Sequence, residues 1–473
     1  MKTLVWLTAA LLTSLAQAQT PCSGGFAGSY ACSNLDLQSL VTFSQMGGNN
    51  FTTDGSSCWG WTDPLTGREY ALMGCSTHLA FVDITDPVNP VYKGKMNGTN
   101  NSSSLWREVK TYNNYCYVTS ESAGHGLQIF DLTRLRNATI PVTFAPDATY
   151  TGFGNCHTLI INETTGFLYA MGSNTQSGGP HILNLANPAA PVFAGGYSAQ
   201  GYTHDGQVVT YNGPDTEHVG KEIFIGANED KVVIVDMTNK ANPQLLSTFT
   251  YPNTSYTHQG WFTEDHRYWL LGDEIDELDF GFNSKTLILD FADLDNPVLA
   301  GNYFGPTPAI DHNGFVLGDE FFLSNYTAGL RILSTQQVGA GVLSEVGYFD
   351  TYPQNNNAVF NGSWSNYPYF PSGNIIISDI DAGLFIVRKS GNLSTADAVK
   401  KTFTMSPNPA GAAVYFQGSE VLESVVVTDL LGKRVLSVAD IGTPDYTLDT
   451  SGLESGIYTV TVNGFQVKKL VIR

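Results

Sequence analysis

The sequence predicts an all-β protein: a seven-bladed β-propeller, closed by an N-terminal strand and followed by a small C-terminal β-sandwich. Three observations favour this fold class. Aromatic and β-branched runs are broken by Asn, Asp, Gly and Pro, which is typical of short strands joined by turns. No long stretch has the 3.6-residue period of an amphipathic helix. One strand motif recurs at a spacing of roughly 50 residues, which is typical of propeller blades.

The first 18 residues have the features of a secretory signal peptide. Met1-Lys2-Thr3 gives a charged start, an apolar stretch runs from Leu4 to Leu15, and Ala16-Gln17-Ala18 offers a cleavage site of small residues. The apolar stretch is too short to span a membrane, and no later segment is long enough. We therefore expect an exported, soluble mature chain without a transmembrane segment.

The charge balance restricts the possible partners. The chain has 23 Lys and Arg against 43 Asp and Glu, a formal net charge of −20. Such an acidic surface repels nucleic acid and anionic membranes, so neither is an expected partner. The same surface suits a protein that holds cations.

Six cysteines follow the signal peptide, and export permits disulfides. Cys22 and Cys32 flank a Gly-rich loop in the N-terminal segment 19–48 and are predicted to pair. Cys58 and Cys75 fall on strands that we interpret as antiparallel neighbours, so they form the second predicted pair. The pairing of the two remaining cysteines stays open. No CxxC motif occurs, which argues against a thiolate zinc site.

The repeated strand reads apolar-x-apolar-Asp and leads to a turn, as in Ala80-Phe81-Val82-Asp83 before Asn89-Pro90. A hairpin precedes each copy and a short strand follows most of them, which makes four strands per repeat and places the propeller at 49–388. A β-solenoid or a two-sheet sandwich is the alternative. The seven copies of the strand lie at 80–83, 127–131, 181–184, 233–236, 287–290, 330–333 and 384–387.

The seventh repeat lacks its fourth strand, because a linker at 389–401 follows it. Residues 38–43 near the N-terminus resemble the missing strand. We predict that they complete the seventh blade, since closure removes the free sheet edges that invite aggregation. From 402 to 473 the repeat stops and short alternating strands predict the small sandwich.

Histidines stand just ahead of the first strand in four successive repeats: His157, His204, His258 and His312. Radial symmetry would bring these four imidazoles to one face of the propeller. Neutral imidazoles suit Zn, Fe, Cu or Ni, so we expect a divalent transition metal, Zn or Fe, as the cofactor. The alternatives are hydrogen bonding to the next blade and direct contact with a substrate.

Further side chains are predicted on the same face, where they could orient the metal ligands or contact a bound molecule. Trp59 and Trp364 are expected there as well. By contrast, Glu217-His218 and Glu264-Asp265-His266 fall in hairpin turns on the opposite face and are interpreted as surface residues. The predicted accompanying residues are Arg107, Glu108, Glu121, His125, Glu229, Asp273, Glu274 and Asp379.

Two resemblances add to these predictions. The tail carries Ser406-Pro407-Asn408-Pro409, Leu430-Leu431-Gly432-Lys433 and the basic close Lys468-Lys469-Leu470, and it resembles the C-terminal sorting domain of the type IX secretion system. That resemblance implies the type IX machinery as a partner, outer-membrane export, and removal of the tail. The repeats, as in Val232-Val233-Ile234-Val235-Asp236, resemble those of the choice-of-anchor B family with its LVIVD-type repeats, which implies no established activity.

The sequence thus leaves two functions open for a protein that is secreted or held at the outer cell surface. The first is a binding or interaction module whose polar axial face takes an unknown extracellular ligand or protein, with or without a metal. The alternative is a metal-dependent hydrolase or oxidoreductase with the four histidines as ligands. In that case Glu121 or Glu274 would act as base or would orient a ligand.

Overall fold

A computed structural model describes residues 19–391, 403–422, 424–429, 434–439, 441–463 and 466–473. The predicted signal peptide and most of the predicted linker lie outside the described residues. The chain divides into two compact units, Met1–Gly391 and Asn392–Arg473. Each unit is all-β.

Residues 19–391 hold 31 strands, which fall into seven sheets in the described part of this unit. The first strands are β1 (Phe26–Ala27), β2 (Tyr30–Ser33), β3 (Leu35–Val41), β4 (Gly55–Thr62), β5 (Glu69–Cys75), β6 (His78–Asp83), β7 (Val91–Asn97), β8 (Arg107–Tyr112), β9 (Tyr115–Ser120), β10 (Leu127–Asp131), β11 (Val142–Phe144) and β12 (Ala148–Tyr150). The middle strands are β13 (Thr158–Asn162), β14 (Phe167–Met171), β15 (His181–Asn184), β16 (Val192–Gly196), β17 (Asp205–Thr210), β18 (Glu222–Ala227), β19 (Val232–Asp236) and β20 (Gln244–Phe249). The last are β21 (Thr257–Phe262), β22 (Tyr268–Asp273), β23 (Lys285–Asp290), β24 (Val298–Phe304), β25 (Gly314–Leu317), β26 (Glu320–Ser324), β27 (Leu330–Ser334), β28 (Ser344–Phe349), β29 (Ser363–Tyr367), β30 (Asn374–Asp379) and β31 (Gly383–Lys389).

The sheets are numbered 1 to 7 along the chain, and each is an antiparallel set of four consecutive strands apart from the additions described below. Sheet 1 is β4–β7, sheet 2 is β8, β9, β10 and β12, sheet 3 is β13–β16, sheet 4 is β17–β20, sheet 5 is β21–β24, sheet 6 is β25–β28, and sheet 7 is β29–β31 with β3. Strand β11 adds to sheet 1 beside β7 in parallel. Helical turns are few in the described part of the chain: α1 (Asp276–Phe280) and 3₁₀ turns at Phe43–Met46, Thr99–Asn101, Leu132–Asn137, Gln176–Gly178 and Val338–Ala340.

The repeated motif has a physical basis in the third strand of each sheet. In β19 the residues Val232 to Val235 are all buried, because neighbouring sheets cover both faces of the strand. The Asp that ends the strand then starts the turn: the Oδ1 atom of Asp236 accepts the backbone N–H of Thr238 at 2.9 Å. Asp290 does the same for Ala292 at 2.9 Å. An Asp at this position therefore ends a buried strand with a side-chain-stabilised turn.

Hydrophobic cores lie between consecutive sheets and also between the last sheet and the first. Sheets 4 and 5, for example, share a core that includes Ile234 and Trp269. Sheets 7 and 1 share another, to which Ile376 and Met73 belong. Every sheet of this unit therefore buries apolar side chains against two neighbours, as the cores between the remaining pairs also show.

The N-terminal segment adds strands to two of these sheets. Strand β3 pairs antiparallel with β31, with Leu37 opposite Val387 and Val41 opposite Leu384. It starts three residues earlier than the predicted strand 38–43, and the chain enters a 3₁₀ turn at Phe43. Strand β2 pairs with β28 and extends sheet 6. The predicted disulfide between Cys22 and Cys32 is confirmed, with a Cα–Cα distance of 5.9 Å.

The predicted disulfide between Cys58 and Cys75 is wrong, since both are free and buried. Their strands, β4 and β5, are antiparallel neighbours as expected, but the register separates the two thiols. Cys58 lies opposite Met73, and Cys75 lies opposite Gly55. Cys116 and Cys156, whose pairing the sequence left open, are also free and buried.

The second unit contains two sheets in its described part. Their strands are β32 (Phe403–Ser406), β33 (Ala413–Leu422), β34 (Val425–Thr428), β35 (Arg434–Val438), β36 (Thr443–Asp449), β37 (Gly456–Val462) and β38 (Gln466–Ile472). The sheet orders are β32-β33-β36 and β35-β34-β37-β38. One core serves both sheets, with Phe416 from the first and Val460 from the second. Among the described residues of the chain, no helix has the length and apolar character needed to cross a membrane.

Candidate functional site

The four predicted histidines form one row. His157 and His204 precede β13 and β17, His258 is the second residue of β21, and His312 lies two residues before β25. The ring centroids of successive histidines are 4.1, 4.4 and 4.4 Å apart. Equivalent positions in four consecutive sheets thus place four imidazoles side by side. We call this set the histidine row.

Hydrogen bonds fix which ring nitrogen is free in three of the four. The Nδ1 atom of His157 donates to the Oε1 atom of Glu121 at 2.6 Å. The Nδ1 atom of His204 donates to the backbone carbonyl of His258 at 3.2 Å, and that of His312 donates to the carbonyl of Trp364. In a neutral imidazole the other nitrogen, Nε2, then carries a lone pair, which is the state that a metal requires.

Glu274 joins the two deeper histidines. Its Oε2 atom lies 3.6 Å from Nε2 of His258, and its Oε1 atom lies 3.5 Å from Nε2 of His312. The hydroxyl of Tyr326 donates to Oε1 of Glu274 at 2.7 Å. Because Nε2 of His312 is an acceptor in this tautomer, two acceptors face each other, an arrangement that a cation or a proton between them stabilises.

Burial sets the ionisation of this group. It lowers the pKa of His312 to about 3 and that of His258 to well below its usual value, and neighbouring imidazoles add to the effect in His258. Burial also raises the pKa of Glu274 to about 7, although the Tyr326 hydroxyl acts in the opposite direction. At neutral pH the imidazoles are therefore uncharged, and the carboxyl titrates near neutrality.

The donor atoms that converge are fewer than predicted. One ligand atom each from His258, Glu274 and His312 lie within 4.8 Å of one another. His157 and His204 continue the row but are not in that set. The Nδ1 atom of His258 is buried and has no hydrogen-bond partner among the described residues. The structure thus groups two imidazoles and one carboxylate, and not four imidazoles, around one point.

A cavity of about 320 Å³ opens over the row. Its lining combines these imidazoles and one carboxylate with aromatic and aliphatic side chains. The lining residues are Leu105, Trp106, His157, His204, His258, Glu274, His312, Tyr326, Phe360, Trp364 and Ile380. A bound molecule in this cavity would therefore meet imidazoles, one carboxylate and apolar side chains.

Two of the predicted accompanying residues, Arg107 and Glu108, lie close to the row. They line a small space of about 20 Å³ that His157 and His204 also border. Arg107 is buried, donates to the carbonyl of Cys75 at 2.9 Å and lies 3.0 Å from Nε2 of His125. Glu108 accepts the hydroxyl of Ser57 at 2.6 Å and pairs with Lys110. These side chains are held by protein partners.

Three further predicted residues, Asp273, Asp379 and Glu229, are not among the residues that line the cavity. Asp273 is buried and accepts the backbone N–H groups of Ser255 and Tyr256 at 2.9 and 2.7 Å. Asp379 is buried and accepts the backbone N–H groups of Asp381 and Ala382, both at 2.8 Å. Glu229 is exposed in a tight turn, with a φ of 61°.

Trp59 lies elsewhere. It lines a separate cavity of about 460 Å³ with Trp261, Tyr367 and Tyr369, and Ile161 and Glu264 from the far ends of the first strands border that cavity too. The expectation that Trp59 joins the histidines was wrong, because Trp59 is the fifth residue of β4 and not the residue before it.

Several site residues were missed from the sequence. The ring of Tyr326 lies tilted 4.6 Å from that of His312, its hydroxyl binds Glu274, and Tyr256 lies edge-on to His204 at 5.1 Å. Trp106 and Phe360 come from loops that lead into sheets 2 and 7. The only signal in the sequence is that some of them lie close to predicted residues, as Trp106 does to Arg107 and Tyr256 to His258.

Comparisons with known proteins identify parts of the chain. Residues 404–473 match the family described as secretion system C-terminal sorting domain. The tail is a type IX secretion sorting domain. A protein with this domain is secreted or held at the cell surface. Residues 219–250, which include β18 and β19, match the LVIVD repeat.

Solved structures show distant likeness, and no curated protein matches the chain. One is PorZ, a surface component of the type IX secretion system of Porphyromonas gingivalis, with 13% identity, a TM-score of 0.45, and coverage of 89% of this chain and 59% of PorZ. The chain therefore spans less than two thirds of PorZ. The β-propeller domain of Cps50 (Swd1) from Myceliophteria thermophila has 10% identity, a TM-score of 0.44 and coverage of 71% and 99%. A Lactobacillus plantarum protein has 11% identity, a TM-score of 0.45 and coverage of 84% and 98%.

Proposed function

We propose that this exported protein is a closed seven-bladed propeller that acts as a binding module, with a divalent transition metal held at its axial face. The seven mutually packed sheets and the β3–β31 pairing support the closed ring. The tail delivers the module to the outside of the cell. The binding surface is the cavity over the histidine row, and its ligand is an extracellular molecule or protein that reaches the metal.

The convergence of His258, Glu274 and His312 carries this proposal. Two neutral imidazoles with one carboxylate form a donor set that suits Zn²⁺ or Fe²⁺. The backbone carbonyl of Trp364 orients one imidazole, and the Tyr326 hydroxyl orients the carboxylate, which are typical supports for metal ligands. The buried Nε2 atoms facing Glu274 gain a favourable partner when a cation lies between them.

A second candidate is metal-dependent catalysis, by hydrolysis or oxidation. It is favoured by the number of donors, since three protein ligands beside a cavity leave a coordination position for water or substrate. Glu121 and His157 at the edge of the cavity could then hold or move a proton. Binding remains the first proposal, because the described lining of the cavity holds no nucleophile and no second acid–base pair that would indicate catalysis.

The test is metal analysis of the full-length protein purified without a histidine tag. We expect His258, Glu274 and His312 to hold about one equivalent of Zn or Fe, so that His258→Ala, His312→Ala and Glu274→Gln each lower the metal content by about one equivalent. His181→Asn is the matched control, because His181 is a buried histidine that hydrogen-bonds Tyr150 and Thr175 outside the row. Folding of each variant is checked by circular dichroism. Wild-type protein that takes up no metal, or Glu274→Gln protein that keeps full occupancy, contradicts the proposal.

A loaded protein then decides between the two functions. Turnover of ester, phosphoester or oxidisable test substrates that disappears in Glu274→Gln would establish the enzyme. Metal-dependent capture of a ligand without turnover would establish the binding module.

A further inference from the structure

A second set of metal-ligating side chains lies at the other end of sheets 4 and 5. Asp215, Glu217 and His218 come from the turn between β17 and β18, and Asp295 comes from the turn between β23 and β24. One ligand atom from each of the four lies within 4.8 Å of the other three. Strand β17 starts beside the histidine row and runs away from it, so this set is separate from the first. We call it the turn cluster.

The imidazole of His218 is the centre of the turn cluster. The residue is 3% exposed. Its Nε2 atom lies 3.2 Å from Oδ2 of Asp295, 3.3 Å from Oε1 of Glu217 and 3.9 Å from Oδ2 of Asp215. A ring nitrogen carries at most one hydrogen, so it can donate to one of the three carboxylates. The other two carboxylates receive no hydrogen from the ring, although Asp215 accepts a backbone N–H, and the repulsion among the three carboxylates favours a cation there.

Contacts outside the cluster fix the two turns in place. The Oδ2 atom of Asp215 accepts the backbone N–H of Leu294 at 2.8 Å, which ties the turn of sheet 4 to the turn of sheet 5. The backbone N–H of Asp215 donates to the hydroxyl of the buried Tyr211 at 3.2 Å. The donor atoms from two sheets are therefore brought together by protein contacts, before any ion arrives, which lowers the cost of ordering them.

Lys221 competes for the same imidazole. Its Nζ atom lies 3.0 Å from Nδ1 of His218, and since an ammonium group only donates, Nδ1 accepts and Nε2 keeps the hydrogen. The Lys221 side chain is 37% exposed and lies 3.6 Å from Oδ2 of Asp236. It can therefore turn to Asp236. The imidazole hydrogen then moves to Nδ1, and Nε2 offers its lone pair to a cation.

We propose that the turn cluster binds a divalent cation, Zn²⁺ or Mn²⁺, and thereby links sheets 4 and 5. One imidazole with three carboxylates is intermediate between the nitrogen-rich sets that Zn²⁺ prefers and the oxygen sets that Mn²⁺ prefers. The site needs no ligand from the histidine row, so this inference does not depend on the proposed function.

The experiment measures Zn²⁺ and Mn²⁺ binding by isothermal titration of the full-length protein in a Glu274→Gln, His258→Ala background, which removes the first metal set. We expect one equivalent of either ion to bind. His218→Gln and Asp295→Asn are expected to weaken binding at least roughly tenfold, in keeping with the loss of a ligand. Lys221→Met is expected to strengthen binding several-fold, because it removes the competing cation.

His266→Gln is the matched control, since His266 occupies the corresponding hairpin turn of sheet 5 and is outside the cluster. It should bind the ions like the background protein. The inference is overturned if the background protein takes up neither ion, if His218→Gln binds as tightly as the background, or if Lys221→Met leaves the affinity unchanged or lower. Lys221→Met changes a partly exposed side chain, so its result can be read even if His218→Gln does not fold.

Discussion

At the scale of single residues, the site depends on how buried polar groups are matched. Three imidazoles of the histidine row use Nδ1 to bind a protein acceptor, which leaves Nε2 for another partner. Glu274 is placed between the Nε2 atom of one of these three, His312, and the Nε2 atom of His258, and is held by Tyr326. A carboxyl with a pKa near neutrality in this position would make the affinity for the proposed metal sensitive to pH in the physiological range.

The first prediction concerns Tyr326→Phe. Metal binding requires ionised Glu274, whose pKa of about 7 means that affinity falls as the pH drops through 7. The Tyr326 hydroxyl stabilises the ionised form, so its removal raises the pKa of Glu274 further. We expect the pH midpoint of Zn²⁺ binding to shift upward in the variant, with near wild-type affinity restored at higher pH. Titrations at several pH values measure this, and an equal loss of affinity at every pH would show that Tyr326 acts only through packing.

Some residues of the site could be predicted from the sequence, and others could not. The four histidines could be found because a repeat puts equivalent residues at equivalent places, and Glu274 follows from the same rule. Tyr326 could not be found, since nothing in the local sequence shows that a side chain from sheet 6 reaches a carboxylate of sheet 5. That His258 and His312 converge with Glu274, while His157 and His204 do not, depends on distances between side chains of different sheets, which no pattern of residues specifies.

At the scale of elements, the N-terminal strand contributes to the hydrophobic core as well as to a sheet edge. Leu35 in β3 is fully buried in the core shared by sheets 6 and 7, where Ile332 and Phe385 also lie. The existence of this strand could be predicted because the last repeat lacked a partner. The bounds of the strand could not be predicted. The wrong pairing of Cys58 with Cys75 has the same cause, because the strand register depends on a bulge between Gly55 and Cys58 that is not visible in the sequence.

The second prediction tests β3 through Leu35→Ala. Loss of this buried side chain leaves a cavity between sheets 6 and 7, and such changes typically lower the free energy of unfolding by about 2–5 kcal/mol. The control is Leu65→Ala, because Leu65 is 74% exposed in the turn after β4. It should change the free energy of unfolding by no more than about 0.5 kcal/mol. Chemical denaturation measures the free energy of unfolding of both variants. Equal values for the two would show that Leu35 of β3 does not contribute to the core.

At the scale of the whole molecule, the chain combines two units with separate cores and separate tasks. The second unit has its own core around Phe416 and Val460 and is the sorting domain. That identity could be read from the sequence, since its short motifs lie close together along the chain. Both groups of converging metal donors found among the described residues belong to the first unit.

The third prediction follows from this division. A ligand that binds only the folded state stabilises the unit that holds it, by about 2.7 kcal/mol at a free concentration one hundred times the dissociation constant. We therefore expect scanning calorimetry of the full-length protein to show two transitions, of which Zn²⁺ raises only the one that belongs to residues 19–391. A truncated protein ending at Gly391 should show that transition alone, with the same response to Zn²⁺. The prediction fails if Zn²⁺ raises the midpoint of the sorting domain, or if the truncated protein unfolds without any response to the ion.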